Sequence, residues 1–225
     1  MKIPFATFKP MHDEIRKDLD QAYNKVIDSN YFIQGKECEL FEKEFADYCN
    51  AKYCVGVATG LDALYLILRA MNIPTIEKPG LEADDIIGII SKYCDDTKNP
   101  CVILTGDKDS FQLISDNTTV KLATNKNDIV FTPESLYEKY ELAPEQMTDL
   151  KALMGDSSDN IPGIKGIGEK TALTLIKKYS TLDNLYAHAD EIKGSVGEKI
   201  RDGKDSAYMS KKLGTIVRNG DIGIE

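Results

Sequence analysis

No stretch of the 225 residues is apolar over the length that a membrane span requires, and no basic-then-apolar leader pattern opens the chain. A protein that is neither membrane-spanning nor secreted is expected, and with it a cytoplasmic location. The five cysteines (Cys38, Cys49, Cys54, Cys94, Cys101) are odd in number, scattered, and never spaced C-x-x-C. That pattern weighs against a disulfide framework and a zinc site, and predicts reduced thiols. Positive charge is short as well: the formal net charge is −9. At face value this argues against a nucleic-acid partner. The distribution of the charges points the other way. Residues 1–73 carry 9 basic and 11 acidic side chains, whereas residues 74–225 carry 19 and 26, and seven of those 26 acids fall in three tight motifs. With the seven neutralised by cations the rest is balanced, and net charge bears on solubility and steering rather than on site chemistry.

What is present is long enough for one large or two small domains with a real core. Residues 1–10 read as an extended arm closed by Pro10. Apolar residues at helical spacing predict a helix over 11–29 and a second one around Leu40, Phe41, Phe45 and Tyr48. A short strand, Tyr53–Val57, and a third helix from T-G-L-D-A-L to about Met71 follow. Residues 83–97 read as a helix, and Cys101–Thr105 as a buried parallel strand. Val120–Leu122 and Ile129–Phe131 read as a hairpin joined by N-K-N-D. Beyond residue 131 only helices are expected: Thr132 to Tyr140, Pro144 to Met154, one after Gly168, then 182–187, 196–202 and 205–217. Strands alternating with helices and then helices alone describe an α/β layer carrying a helical cluster.

The three acidic motifs are Glu82, Asp84 and Asp85 at a helix start, Asp107 and Asp109 where a strand ends, and Asp156 and Asp159 in a Ser/Asn-rich loop. Each alone has an ordinary explanation in helix capping or turn chemistry. Gathered in one cleft, seven carboxylates repel unless cations intervene. Oxygen ligands without His or Cys select Mg²⁺ or Mn²⁺, and up to two such ions suit phosphodiester hydrolysis. Directly after the third motif come Gly163, Gly166 and Gly168 ahead of a helix, a turn whose amides suit a phosphate.

The strings PGLEADDIIG, VILTGDKDSFQLIS and TPESLYEKYELAPEQMTDLKALMGDSSDNIPGIKGIGEKTALTLIKKY resemble the 5′-nuclease domain of bacterial DNA polymerase I, a member of the flap endonucleases with a PIN-like fold. The resemblance runs from about residue 70 to the end. It implies a partial PIN-like parallel sheet over 74–131 and a helix–three-turn–helix region over 132–225. Glu82, Asp84, Asp85, Asp107, Asp109, Asp156 and Asp159 would be divalent-metal ligands, with Asp107 and Asp109 central to catalysis. Gly163, Lys165, Gly166, Ile167, Gly168, Lys170 and Thr171 would grip duplex phosphates, aided by a bound K⁺. The implied partner is flapped, nicked or duplex DNA with a free 5′ end. Residues 1–73, from IPFATFKPMHDEI to LYLILRAMNI, resemble the N-terminus of PLP-dependent sugar aminotransferases, Thr59–Ala63 matching that family's phosphate turn. No Schiff-base lysine region follows, so pyridoxal chemistry is not expected. The join at Leu68–Ile73 would lie within a continuous helix, as in a chimera. The family's first strand, two of its aspartates and its basic arch have no counterpart, so an impaired first metal site is expected, as are open apolar faces on Cys101–Thr105 and on the helix before it. A non-catalytic, duplex-binding remnant is the alternative.

Overall fold

The computed structural model describes residues 7–125 and 127–223. The chain divides into two compact units, Met1–Thr75 and Ile76–Glu225.

The first unit holds three helices, α1 (Lys9–Ser29), α2 (Lys36–Tyr48) and α3 (Gly60–Ala70). Pro10 lies in the first turn of α1 rather than closing an extended arm, because a proline near a helix start forfeits no intrahelical hydrogen bond. Residues 1–6 of that arm fall outside the described residues. α3 opens on a capping box in which Thr59 and Asp62 exchange hydrogen bonds, as a strand–turn–helix reading of T-G-L-D requires at its helical end. The strand expected at Tyr53–Val57 does not form: the Gly56 amide goes to the Glu42 carboxylate at 2.6 Å. A strand needs a neighbouring ladder, and this unit supplies none among its described residues. α3 ends within the join, at Ala70, with Asn72 in the left-handed region and the Ile73 amide returning to the Leu68 carbonyl at 2.9 Å. The join is therefore a helix end, not a helix interior. Among described residues of this unit only Ala46 is buried. Its helices are formed locally, by caps and side-chain pairs, with their apolar stripes left open.

The second unit has the core. Helix α4 (Ala83–Thr97) leads into β1 (Cys101–Thr105), a 3-10 turn (Lys108–Leu113), β2 (Thr118–Leu122) and β3 (Ile129–Phe131). β1 pairs parallel with β2, Ile103 opposite Val120, and β2 pairs antiparallel with β3, Val120 opposite Phe131. The sheet is thus mixed, with β1 at one edge. Ile103, Val120, Leu122 and Phe131 point to one face, where Phe111, Leu113 and Leu136 cover them, and the Phe111 and Phe131 rings lie 4.5 Å apart. β1 is not the buried strand that its apolar run suggests: Val102 is 66% and Leu104 65% exposed, which agrees with the open apolar faces expected where the family's central strands are missing. Period-two alternation sends them to the opposite face, which no helix among the described residues of this unit covers.

The helical cluster consists of α5 (Pro133–Tyr140), α6 (Gln146–Met154), α7 (Glu169–Tyr179), α8 (Leu182–Ala187), α9 (Gly194–Asp202) and α10 (Lys204–Gly214). Leu150, Leu153, Ile176, Leu182, Leu185 and Ile200 form its core. Asp149 of α6 is buried within it. The Asp149 carboxylate meets Lys211 at 2.6 Å and accepts the Leu182 amide at 3.2 Å, tying α6 to α10 and to the start of α8.

Candidate metal centre and phosphate turn

Each acidic motif is positioned by its own local logic. Glu82 is the N-cap of α4, and the Asp85 carboxylate accepts the Glu82 amide at 3.2 Å in a capping box. The other Asp85 oxygen accepts the Val217 amide at 2.9 Å, so Asp85 also anchors the segment that follows α10. Gln112 reinforces that strap, donating to the Gly214 carbonyl and accepting the Ile216 amide. Arg218 closes it by donating to Ser91 and Asp95. Asp107 caps the 3-10 turn after β1 and accepts the Asp109 amide at 2.9 Å. Asp156 opens a loop closed by a reciprocal backbone pair with Ile161, both bonds 2.8 Å, where no regular structure was expected.

These elements bring Glu82, Asp84, Asp85, Asp107, Asp109 and Asp159 onto one cleft of about 370 Å³, with Ile161, Thr215 and Ile216 completing its wall. Asp156 lines the adjoining cleft of about 760 Å³, which shares Asp109. Oxygen atoms of Asp109, Asp156 and Asp159 lie within 4.8 Å of one another. The crowding registers electrostatically. Partial burial, then the charges of Asp107, Glu82, Asp85 and Asp159, raise the Asp84 carboxyl above its usual range. Burial also raises Asp109. Asp156 is held down at about 2, chiefly by hydrogen bonds from Ser158.

Sequence reasoning missed the partner that makes this crowding tolerable. Lys151 of α6 is 6% exposed, and its ammonium meets Asp109, Asp156 at 3.0 Å and Asp159 at 2.8 Å. Burial alone disfavours its charge, yet the three carboxylates outweigh that and hold its pKa above the ordinary lysine value. Lys151 therefore keeps its charge at neutral pH. The available signal was a lone lysine among Leu150, Ala152 and Leu153, five positions before Asp156.

The loop bearing Asp156 and Asp159 runs directly into the glycine turn. Gly155 and Gly163 both have positive φ, and a Cβ on Gly163 would stand 2.2 Å from the Gly155 nitrogen. Only glycine permits this backbone-to-backbone contact. The Ile164 amide bonds the Leu153 carbonyl and the Gly163 amide the Ser210 hydroxyl, docking the turn on α6 and α10. Gly168 caps α7 with no side-chain acceptor, so the first amides of that helix are free of any side-chain cap. Lys165, Gly166, Gly168 and Lys170 are exposed beside it and Thr171 is half-buried. Ile167 is only 3% exposed, so whatever it offers a ligand comes from its backbone.

Two adjacent family models account for this arrangement of an acidic α/β layer followed by a docked helical turn. Residues 55–141 match the N-terminal resolvase-like domain of 5′-3′ exonucleases, and residues 142–225 match their C-terminal SAM fold. Residues 55–225 belong to the 5′-3′ exonuclease family. The exonuclease match begins earlier than the resemblance from about residue 70 had implied, and overlaps a match of residues 13–82 to the DegT/DnrJ/EryC1/StrS aminotransferase family. DNA polymerase I of Caldicellulosiruptor bescii is 48% identical over 155 residues, covering 67% of this chain and 18% of its own. The 5′-3′ exonuclease of Buchnera aphidicola is 37% identical over 172 residues, covering 73% and 59%. The chain thus spans under a fifth of the polymerase relatives it matches. In fold it is similar to T5 5′-exonuclease with bound zinc (TM-score 0.59, 19% identity, 95% of this chain and 83% of that one). It is also similar to T5 flap endonuclease in complex with DNA and metal ions (TM-score 0.58, 21% identity, 92% and 69%). No helix among the described residues is long and apolar enough to cross a membrane.

Proposed function

We propose that residues 74–225 act as a divalent-metal-dependent 5′-nuclease domain on flapped, nicked or duplex DNA with a free 5′ end, in the cytoplasm. One observation carries the reading: six carboxylates from three separate segments line a single cleft, and the segment holding the third motif passes straight into an amide-presenting turn. Residues 74–131 are read as the nuclease core, residues 132–225 as the DNA-binding region and residues 1–73 as an aminotransferase-like fragment without pyridoxal chemistry.

The donor set is all oxygen, which fits Mg²⁺ or Mn²⁺. Glu82, Asp84, Asp85, Asp107, Asp109, Asp156 and Asp159 are the residues that would hold them. Bound divalent ions supply Lewis-acid activation of a water and charge stabilisation of the leaving oxygen. The protein's share is placement. Asp85 fixes the start of α4 through two amides, Asp107 fixes the strand end, and Lys151 holds the third motif against Asp109. The free amides at the start of α7, with Lys165 and Lys170, hold a phosphate of the duplex without reading its sequence.

A 5′-flap DNA incubated with the chain and Mg²⁺ is expected to be cut, and Asp107→Ala is expected to slow cutting at least about a hundredfold. Cutting undiminished by EDTA, or cutting by Asp107→Ala at the wild-type rate, would overturn the assignment. A second reading, duplex binding without hydrolysis, is favoured by the position of Lys151: its ammonium already occupies the centre of the Asp109–Asp156–Asp159 cluster and offsets part of its charge. Binding by gel shift with no cutting in Mg²⁺ or Mn²⁺ would select it.

Proton competition gives a further check. Asp84 and Asp109 are raised, so they take up protons before ordinary carboxylates as pH falls. Protonated acids do not ligate. Divalent-ion affinity, followed by calorimetry, is therefore expected to be full near neutrality and to fall on acidification while Asp156 is still ionised. Affinity unchanged down to the ordinary aspartate range would contradict this.

A further inference from the structure

Three carbonyls of the glycine turn have partners. The Gly163 carbonyl accepts the Ser206 hydroxyl at 2.6 Å, and the Ile164 carbonyl accepts the Ile167 amide at 3.0 Å. The Gly166 carbonyl accepts the ammonium of Lys199 at 3.2 Å. Lys199 stands in the last turn of α9 and reaches across to the turn. Its side chain lies along Gly166: a Cβ added there would meet Nζ at 2.9 Å and Cε at 3.2 Å. What the position asks of its residue is the backbone, φ +80, which glycine adopts without strain.

The family resemblance implies K⁺ at this turn. A potassium ion must replace its water with several oxygens that have lone pairs free to turn toward it. Here three turn carbonyls each give one of their two lone pairs to an intramolecular donor, and the donor at Gly166 carries a full positive charge, which repels a second cation at contact distance. The residues present do not fit K⁺ alongside Lys199. An ammonium has three donors and commits one to Gly166. Two remain on an exposed group beside the turn whose amides would take a phosphate.

We propose that Lys199 is the resident cation of this turn, contacting the duplex phosphate itself, and that DNA binding by this chain needs no K⁺. The proposal rests on the DNA-binding reading above, and its consequences separate from that reading. Anisotropy of a fluorescein-labelled nicked duplex, with EDTA present so that no strand is cut, is measured in potassium, sodium and tetramethylammonium chloride at one concentration. The wild type is expected to bind within twofold in all three. Lys199→Ala is expected to weaken binding about fivefold or more and to reduce the salt slope by about one. Lys199→Arg, which keeps the charge, is expected to stay within about threefold of wild type and guards against a folding defect in the alanine variant. Wild-type binding that requires potassium would overturn the proposal, as would Lys199→Ala binding like wild type. No binding by the wild type in any salt would overturn the DNA reading and this inference together. Without DNA, the wild-type melting temperature is expected to be equal in potassium and tetramethylammonium chloride. A rise specific to potassium would show an ion in the turn and sink the proposal alone.

Discussion

Lys151→Met lowers the stability of the metal-free protein by about 2–3 kcal/mol and makes its melting temperature respond more strongly to Mg²⁺ or Mn²⁺. Removing one partner of a buried ion pair costs about 3–5 kcal/mol, because the remaining charge is left without compensation. The lower figure applies here, since the Asp109, Asp156 and Asp159 side chains keep 21%, 28% and 46% exposure and water screens part of the loss. Methionine preserves the length of the side chain and the packing of its stem against Gly214, so the change isolates the charge. For a unit of this size the expected drop in melting temperature is about 5–10 °C. The ion response follows from the same electrostatics. With Lys151 present, three carboxylates share one positive charge that an incoming cation must displace or repel. Without it, the cation is what the cluster lacks. Thermal melts of both proteins with and without added divalent ion measure the two effects. A variant that melts like wild type and gains no more from Mg²⁺ than wild type would mean that Lys151 is not the cluster's counter-ion.

Gly163→Ala is expected to cost about 4 kcal/mol, near the upper end for a single substitution. Two penalties add. A φ of +58 is unfavourable for any residue with a Cβ by about 1–2 kcal/mol. The new methyl would also stand 2.2 Å from the Gly155 nitrogen and 2.6 Å from its Cα. Those are backbone atoms, so no rotamer change relieves the clash, and the loop ends must part. Parting them moves the Asp156–Asp159 loop and the phosphate turn at once, so divalent-ion affinity and duplex binding are expected to fall together. Gly106→Ala is the control: its Cβ would meet nothing within 4 Å, and its cost is expected within about 0.5 kcal/mol. Denaturant melts of the three proteins test this. Equal midpoints for Gly163→Ala and wild type would refute the tight contact.

What the sequence made legible was whatever leaves a local mark. The three acidic motifs sit at a helix cap, a strand end and a turn, each recognisable within a few residues, and the strands and helices from Cys101 to Met154 follow from periodicity and punctuation. Partners distant along the chain left no such mark. Gln112 is bonded to Gly214 and Ile216 at separations of 102 and 104 residues, and Asp85 to Val217 at 132. Nothing near Asp85 in sequence announces that its second oxygen holds a remote strap. Lys151 read as one cation in an apolar helix because its three partners lie on other segments or in the following loop. The strand assigned to Tyr53–Val57 failed for the converse reason. Composition favoured it, but a strand exists only if another lies beside it, and composition is silent on that. Exposure of Val102 and Leu104 was legible only through the family resemblance, whose missing strands imply it; the apolar run by itself reads as buried whether or not anything covers its second face.

That uncovered face has a consequence for handling the molecule. Among the described residues of its unit β1 has no strand on its outer edge, and Val102 and Leu104 stand open on its uncovered face, a combination that favours strand-to-strand sticking between copies. Heat removes a neighbour from a surface, whereas crowding provides one. Concentration, more than temperature, then sets how long a stock of this protein stays clear, and a charged residue such as lysine at position 102 is the simplest way to lengthen its shelf life.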